Sequence, residues 1–166
     1  MKIQSIKGHT VEGSYIKPAM TGAVHQRQDM RSGDSKNCTV RALANCADIQ
    51  YDIAHEAMLK AGRKLNEGAD CQVYLPVYQK FGAKKVQAVG NCKQSKYWTY
   101  AHRKMTGEYP ELVKGMTVAT MLSKPEYQRG VFAVEIIGHI FCVRNGLIMD
   151  TGYNKMHSRV QAIIWF

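Results

Sequence analysis

The segment HIFCVRNGLIMDT, His139 to Thr151, constrains the fold more than any other stretch of the chain. Two short runs rich in β-branched and aromatic residues flank the dipeptide Asn145-Gly146. Asn-Gly is the strongest short-range hairpin signal, because both central residues of the tight turn take positive φ. The register follows from the turn. Arg144 faces Leu147, Val143 faces Ile148, Cys142 faces Met149 and Phe141 faces Asp150. Residues directly opposite share a face of the sheet, as do residues two apart on one strand. His139 and Asp150 are therefore expected on the same side, as diagonal neighbours about 7 Å apart at Cβ. An imidazole and a carboxylate can hydrogen-bond across that distance. Gly138, just before His139, and Gly152, opposite it, are expected to leave room for another segment.

The hairpin does not stand alone. VFAVEIIG before it and RVQAIIWF after it have the same β-prone composition. The first half of the chain reads differently. Cys38 to about Ala47 predicts a helix, with Ser35 or Asn37 as N-cap. YDIAHEAMLKAG predicts a second, with Ile53, Ala57, Met58 and Ala61 at helical spacing and Gly62 as the stop. DCQVYLPVYQKFG predicts a third, closed by Gly82, with Pro76 in its first turn or kinking it. KKVQAV reads as a short strand, and Thr117 caps a short helix that Pro125 ends. Helices followed by an antiparallel sheet make an α+β plan. Hydrophobic residues are 45% of the 166, enough for one domain with a packed core. We divide that domain into an irregular N-terminal arm (1–33), a helical region (34–82), a basic irregular insertion (83–115) and a helix with antiparallel sheet (116–166).

Cys38 sits oddly for a structural cysteine. Polar residues run up to it in DSKNCTVRALA, and the apolar helix begins just after. A helix N-terminus carries about half a positive charge, which favours thiolate over thiol. A nearby imidazolium lowers the thiol pKa further. Cys38 as nucleophile, His139 as base and Asp150 as the group that orients it supply the three parts of a nucleophilic triad. Backbone N–H groups at the helix start would stabilise the oxyanion. Asn37, Ser35 and Gln28 are the candidates for an assisting side-chain donor. Cys46, Cys71, Cys92 and Cys142 read as core or incidental residues.

A helix-start cysteine in NCTVRALA, a Gly-His on a late strand in GHIFCV and an aspartate on the next strand in IMDT resemble the papain-like cysteine peptidase fold. DSKNCTVRALA, YDIAHEAMLKAGR and GHIFCVRNGLIMDT together resemble small phage-encoded proteins of that fold. The resemblance covers roughly residues 34–63 and 131–152. It implies thiol-dependent attack on an amide, with Cys38 as nucleophile, His139 as general acid and base and Asp150 as orienter, and no cofactor. Transglutaminases, deamidases, amidases and arylamine acetyltransferases share the order Cys, His, Asp, so protease, isopeptidase and deamidase chemistry stay open. The rival expectation is a non-enzymatic basic protein on the same scaffold, docking on a host protein or nucleic acid.

Charge bears on partners. The formal net charge is +10, which suits an acidic partner such as an acidic polypeptide or nucleic acid. From Cys71 to Gly107 there is no Asp or Glu, and seven Lys and Arg occur with interleaved aromatics. Lys84, Lys85, Lys96, Trp98, Tyr100, Arg103 and Lys104 are the candidate partner-binding set. Basic groups among stacking aromatics are also what a single-stranded nucleic acid groove uses. Other classes are disfavoured. No Cys and His pair has the spacing of a zinc site, and no phosphate-binding loop motif occurs. Five cysteines without a C-x-x-C pair suggest reduced thiols and a cytoplasmic setting. MKIQSIKGHTVEG lacks the apolar core of a secretory leader, and no run approaches the ~20 apolar residues of a membrane span.

Overall fold

The structure, a computed structural model, describes residues 34–89, 99, 102–103, 106–150 and 156–166. Three helices come first: α1 (Cys38–Ala47), α2 (Tyr51–Lys60) and α3 (Cys71–Lys80). Strand β1 (Lys85–Val89) follows, then β2 (Glu111–Val113), a short helix α4 (Val118–Leu122) and a 3₁₀ turn at Pro125–Tyr127. The last part is β3 (Val131–Ile136), β4 (His139–Arg144), β5 (Leu147–Met149) and β6 (Val160–Trp165). The fold is α+β, with six strands in the order β2-β1-β6-β3-β4-β5. Every pairing is antiparallel except β1 with β2.

The Asn145-Gly146 turn forms as its chemistry requires, with φ of 51° and 76°. The pairs Arg144 with Leu147, Val143 with Ile148 and Cys142 with Met149 match the expected register. The Asn145 side chain also accepts the Gly130 N–H at 3.1 Å, and Asn145 N–H donates to the Gly130 carbonyl at 2.8 Å. The turn is thereby fastened to the start of β3.

The sheet is covered on both faces. Towards the three helices, Ala133, Ile140, Cys142, Ala162 and Ile164 pack with Val40, Leu43, Tyr74 and Tyr78. On the other face, Phe132, Val134, Phe141, Val143 and Ile163 pack with Met121, Leu122 and Tyr127. Burying a side chain of this size contributes about 1.5–3 kcal/mol, so the sheet anchors both layers. Helix α1 lies on β4. That contact sets the separation between the helix-start cysteine and the strand-start histidine.

Some expectations need correction. On α2 the buried stripe is Tyr51, Ala54 and Met58, while Ile53 is 48% exposed. Ile53 lies about 100° round the helix from Ala54, so helical spacing alone put it on the wrong side. Pro76 sits inside α3, not in its first turn. It removes the N–H that would bond the Gln72 carbonyl, and Gln72 is exposed to water. Asp70 caps that helix, accepting from Gln72 N–H at 3.0 Å and Val73 N–H at 3.3 Å. The insertion expected to be irregular contributes β2. Gly138 meets nothing within 4 Å where a Cβ would stand; its φ of +74° is what calls for glycine. Gly152 lies outside the described residues.

Candidate active site

Cys38 is the first residue of α1, half-buried where the helix start meets the beginning of β4. His139 is the first residue of β4, and Asp150 follows directly on β5. His139 Nε2 lies 2.5 Å from Asp150 Oδ2. The Cys38 thiol hydrogen-bonds the His139 ring and also meets the backbone N–H groups of Ile140 and Thr39. Since Nε2 belongs to Asp150, Nδ1 is the ring nitrogen left for sulfur. Three side chains from separate segments therefore form one hydrogen-bonded line. His139 is 21% exposed and Asp150 7%, so the line opens to solvent at one end.

The electrostatics follow from the contacts. Burial pushes the Cys38 thiol up. The hydrogen bond and charge of His139, with the two backbone N–H groups, outweigh it and leave the thiol below its ordinary value. Burial pulls His139 down, yet its hydrogen bonds to Asp150 and Cys38, with their charges, raise it to about 9. Each group therefore favours the charged form of the other. Cys46, on the same helix, goes the opposite way. Burial and the neighbouring Cys142 push its thiol well up. Cys71 is likewise pushed up to about 12 by burial and by the charges of Glu135 and Asp70. Cys46, Cys71 and Cys142 are all buried; Cys92 lies outside the described residues.

A fourth residue belongs to this group. Arg41, one turn after Cys38, places its guanidinium 3.1 Å from Asp150 Oδ1. The two carboxylate oxygens are thus divided between Arg41 and His139. The spacing of Cys38 and Arg41 in CTVR puts them on one helix face, and that was the available signal.

The loop before Cys38 is anchored by a second polar cluster. Asp34 Oδ2 lies 2.6 Å from Arg63 and 3.2 Å from His55 Nε2, and Oδ1 accepts Asn66 N–H at 2.9 Å. Arg63 also donates to the Lys36 carbonyl at 2.8 Å. Burial pushes the Asp34 carboxyl up, but the hydrogen bonds and charge of Arg63, Asn66 and His55 hold it below the usual carboxylate value.

The expected side-chain oxyanion donors are engaged elsewhere. Asn37 Nδ2 donates to the Asp34 carbonyl at 2.6 Å and to Tyr51 Oη at 3.1 Å. Ser35 N–H and Oγ both donate to Asn66 Oδ1, at 2.9 and 3.1 Å. Gln28 lies outside the described residues. What remains at the site is the backbone: Asn37 is the N-cap of α1, yet its side chain makes no capping bond.

In the basic set, Lys84 is exposed. Lys85 pairs with Glu111 at 2.5 Å and lies over the Trp165 ring. Arg103 donates to Tyr109 Oη at 2.5 Å and stacks on that ring. Lys96, Trp98, Tyr100 and Lys104 lie outside the described residues. Among the described residues, no three His, Cys, Asp or Glu side chains are grouped to hold a metal ion, and no helix is long and apolar enough to cross a membrane.

No protein-family model, curated protein or solved structure matches this chain.

Proposed function

We propose that the chain is a small papain-like cysteine hydrolase, phage-encoded and acting in the host cytoplasm, that attacks an amide bond in a polypeptide. The observation that carries this reading is the hydrogen-bonded line from Cys38 through His139 to Asp150. Its support is chemical. The thiol is lowered while Cys46 and Cys71 are raised, and the imidazole has a carboxylate behind it. A structural cysteine needs neither.

Cys38 Sγ attacks the carbonyl carbon, a C–S bond forms and the carbonyl electron pair moves to oxygen. Backbone N–H groups at the start of α1 receive that oxyanion. Collapse breaks the C–N bond, and the amine leaves with the proton of the His139 imidazolium. His139, now neutral, takes a proton from water. The hydroxide attacks the thioester, the C–S bond breaks and the thiolate returns beside a reprotonated imidazolium. Asp150 holds the ring orientation throughout, and Arg41 holds Asp150.

Two measurements test the reading. Iodoacetamide at pH 6 should label Cys38 ahead of every other cysteine, because a lowered thiol carries the larger thiolate fraction there. Cys38→Ala should abolish turnover and keep the fold. Wild-type turnover in that variant excludes Cys38 as nucleophile. Uniform slow labelling favours the binding-protein reading, to which Lys85 and Arg103 lend little, being paired within the chain.

A further inference from the structure

Asparagine is among the best N-caps, because its side-chain oxygen accepts an N–H of the first helical turn. At α1 that bond is missing, and the Asn37 backbone is not in the extended conformation usual for a cap, with φ −111° and ψ 21°. The Asn37 amide is instead held by the Asp34 carbonyl and Tyr51 Oη. The Asp34 backbone is held in turn. Its own carboxylate is fixed by Arg63 and Asn66 N–H, and Arg63 reaches on to the Lys36 carbonyl. Both Asp34 and Arg63 side chains are 0% exposed. One guanidinium therefore clamps two points of the short loop that leads into Cys38.

We infer that Arg63 and Asp34 are positioning residues that hold the Asn37 side chain off the end of α1, so that the first-turn N–H groups, including the Thr39 N–H that meets the thiol, are left uncapped to serve the sulfur and the oxyanion formed at Cys38. The inference rests on the hydrolase reading above and extends it to residues that touch none of the reacting atoms. A helix end capped by its own asparagine would have fewer donors for substrate, however well the thiol and imidazole were arranged. Arg63 suits the task because its planar fork serves a carboxylate and a carbonyl at once, which a lysine ammonium cannot do in the same geometry.

The test compares two reactions of the same sulfur. Acylation by p-nitrophenyl acetate forms a C–S bond, passes through an oxyanion and expels p-nitrophenolate. Alkylation by iodoacetamide displaces iodide at a methylene carbon and forms no oxyanion. Both rates are followed at Cys38 by mass spectrometry in the wild type, in Arg63→Lys and in Asn66→Gly. Asn66 is exposed with φ 59°, so glycine keeps that backbone while removing the acceptor for Ser35. Acylation should fall on the order of 10²-fold in Arg63→Lys and less in Asn66→Gly, with alkylation little changed. Equal losses in both reactions, or no loss in either, overturn the inference; if Arg63→Lys does not fold, Asn66→Gly alone decides. A wild-type Cys38 that is alkylated no faster than the other thiols removes the hydrolase reading itself, and is recognised before any variant is made.

Discussion

Two clusters in this molecule are built from the same three residue types. His139, Asp150 and Arg41 form one, and His55, Asp34 and Arg63 form the other. In the first, the carboxylate gives one oxygen to the arginine and one to the histidine, and the imidazole faces a thiol. In the second, arginine and histidine share one oxygen, a backbone N–H takes the other, and the arginine goes on to a carbonyl. The first opens to solvent and ends on the Cys38 thiol; the second has a fully buried ion pair and ends on backbone. A His–Asp–Arg grouping is therefore no signature of chemistry by itself. The two differ in what lies beyond the carboxylate: a thiol beside the histidine in one, a backbone carbonyl beside the arginine in the other.

The largest separation between the clusters should come from their histidines. His139→Ala should lower acyl transfer at Cys38 by about 10²–10⁴-fold, the usual worth of a positioned acid or base. His55→Ala should leave it near wild type, and similar losses in the two would erase the distinction. The arginines should separate in the opposite sense. Arg63→Met breaks a fully buried ion pair, leaving the Asp34 carboxylate to His55 and the Asn66 N–H, and should cost about 3–5 kcal/mol in urea denaturation. Arg41→Met, at a site 17% exposed where Asp150 keeps its bond to His139, should cost less, about 1–3 kcal/mol.

The aspartates sharpen the contrast through pH. On the hydrolase reading proposed above, His139 must be protonated to release an amine, so anilide turnover in the wild type should fall above pH about 9. Asp150→Asn removes the foremost cause of that raised value, so the alkaline limb should move towards the ordinary imidazole range. An unmoved limb would show that Asp150 does not set it. The smallest effect concerns stability. A histidine raised in the folded state contributes stability that is full below its unfolded value of 6.5 and is lost as pH rises through the folded one. In Cys38→Ala, where no thiolate contributes with the opposite sign, the melting temperature should decline modestly from pH 6.5 upward. A flat profile would show that Asp150 alone does not raise His139.

The sequence carried some of this plainly and some not at all. The hairpin was legible because a two-residue turn fixes the register on both sides, and with it the meeting of His139 and Asp150. The start of α1 was legible from the break between polar and apolar residues at Cys38. Arg41 was readable in principle, one turn from Cys38, but its partner lies across the fold and a lone arginine on a helix is commonplace. The Asp34 and Arg63 pair had no local trace: the two are separated by all of α1 and α2, and pairing at such distance is decided by how helices pack. The true partners of Asn37 were hidden for the same reason, since its composition-based role was to cap the helix it precedes. Strand β2 escaped notice because three residues, Glu111 to Val113, are too few for an alternating pattern.

The order of the strands has a bearing on when the thiol meets its imidazole. Strand β6 lies between β1 and β3 and is the last of the six along the chain. During synthesis Cys38 leaves the ribosome about a hundred residues ahead of its imidazole, and the sheet beneath both stays in two pieces until residue 165 has been added. Timing of this kind leaves the Cys38 thiol of a nascent polypeptide without its hydrogen-bond partner until β4 has been made.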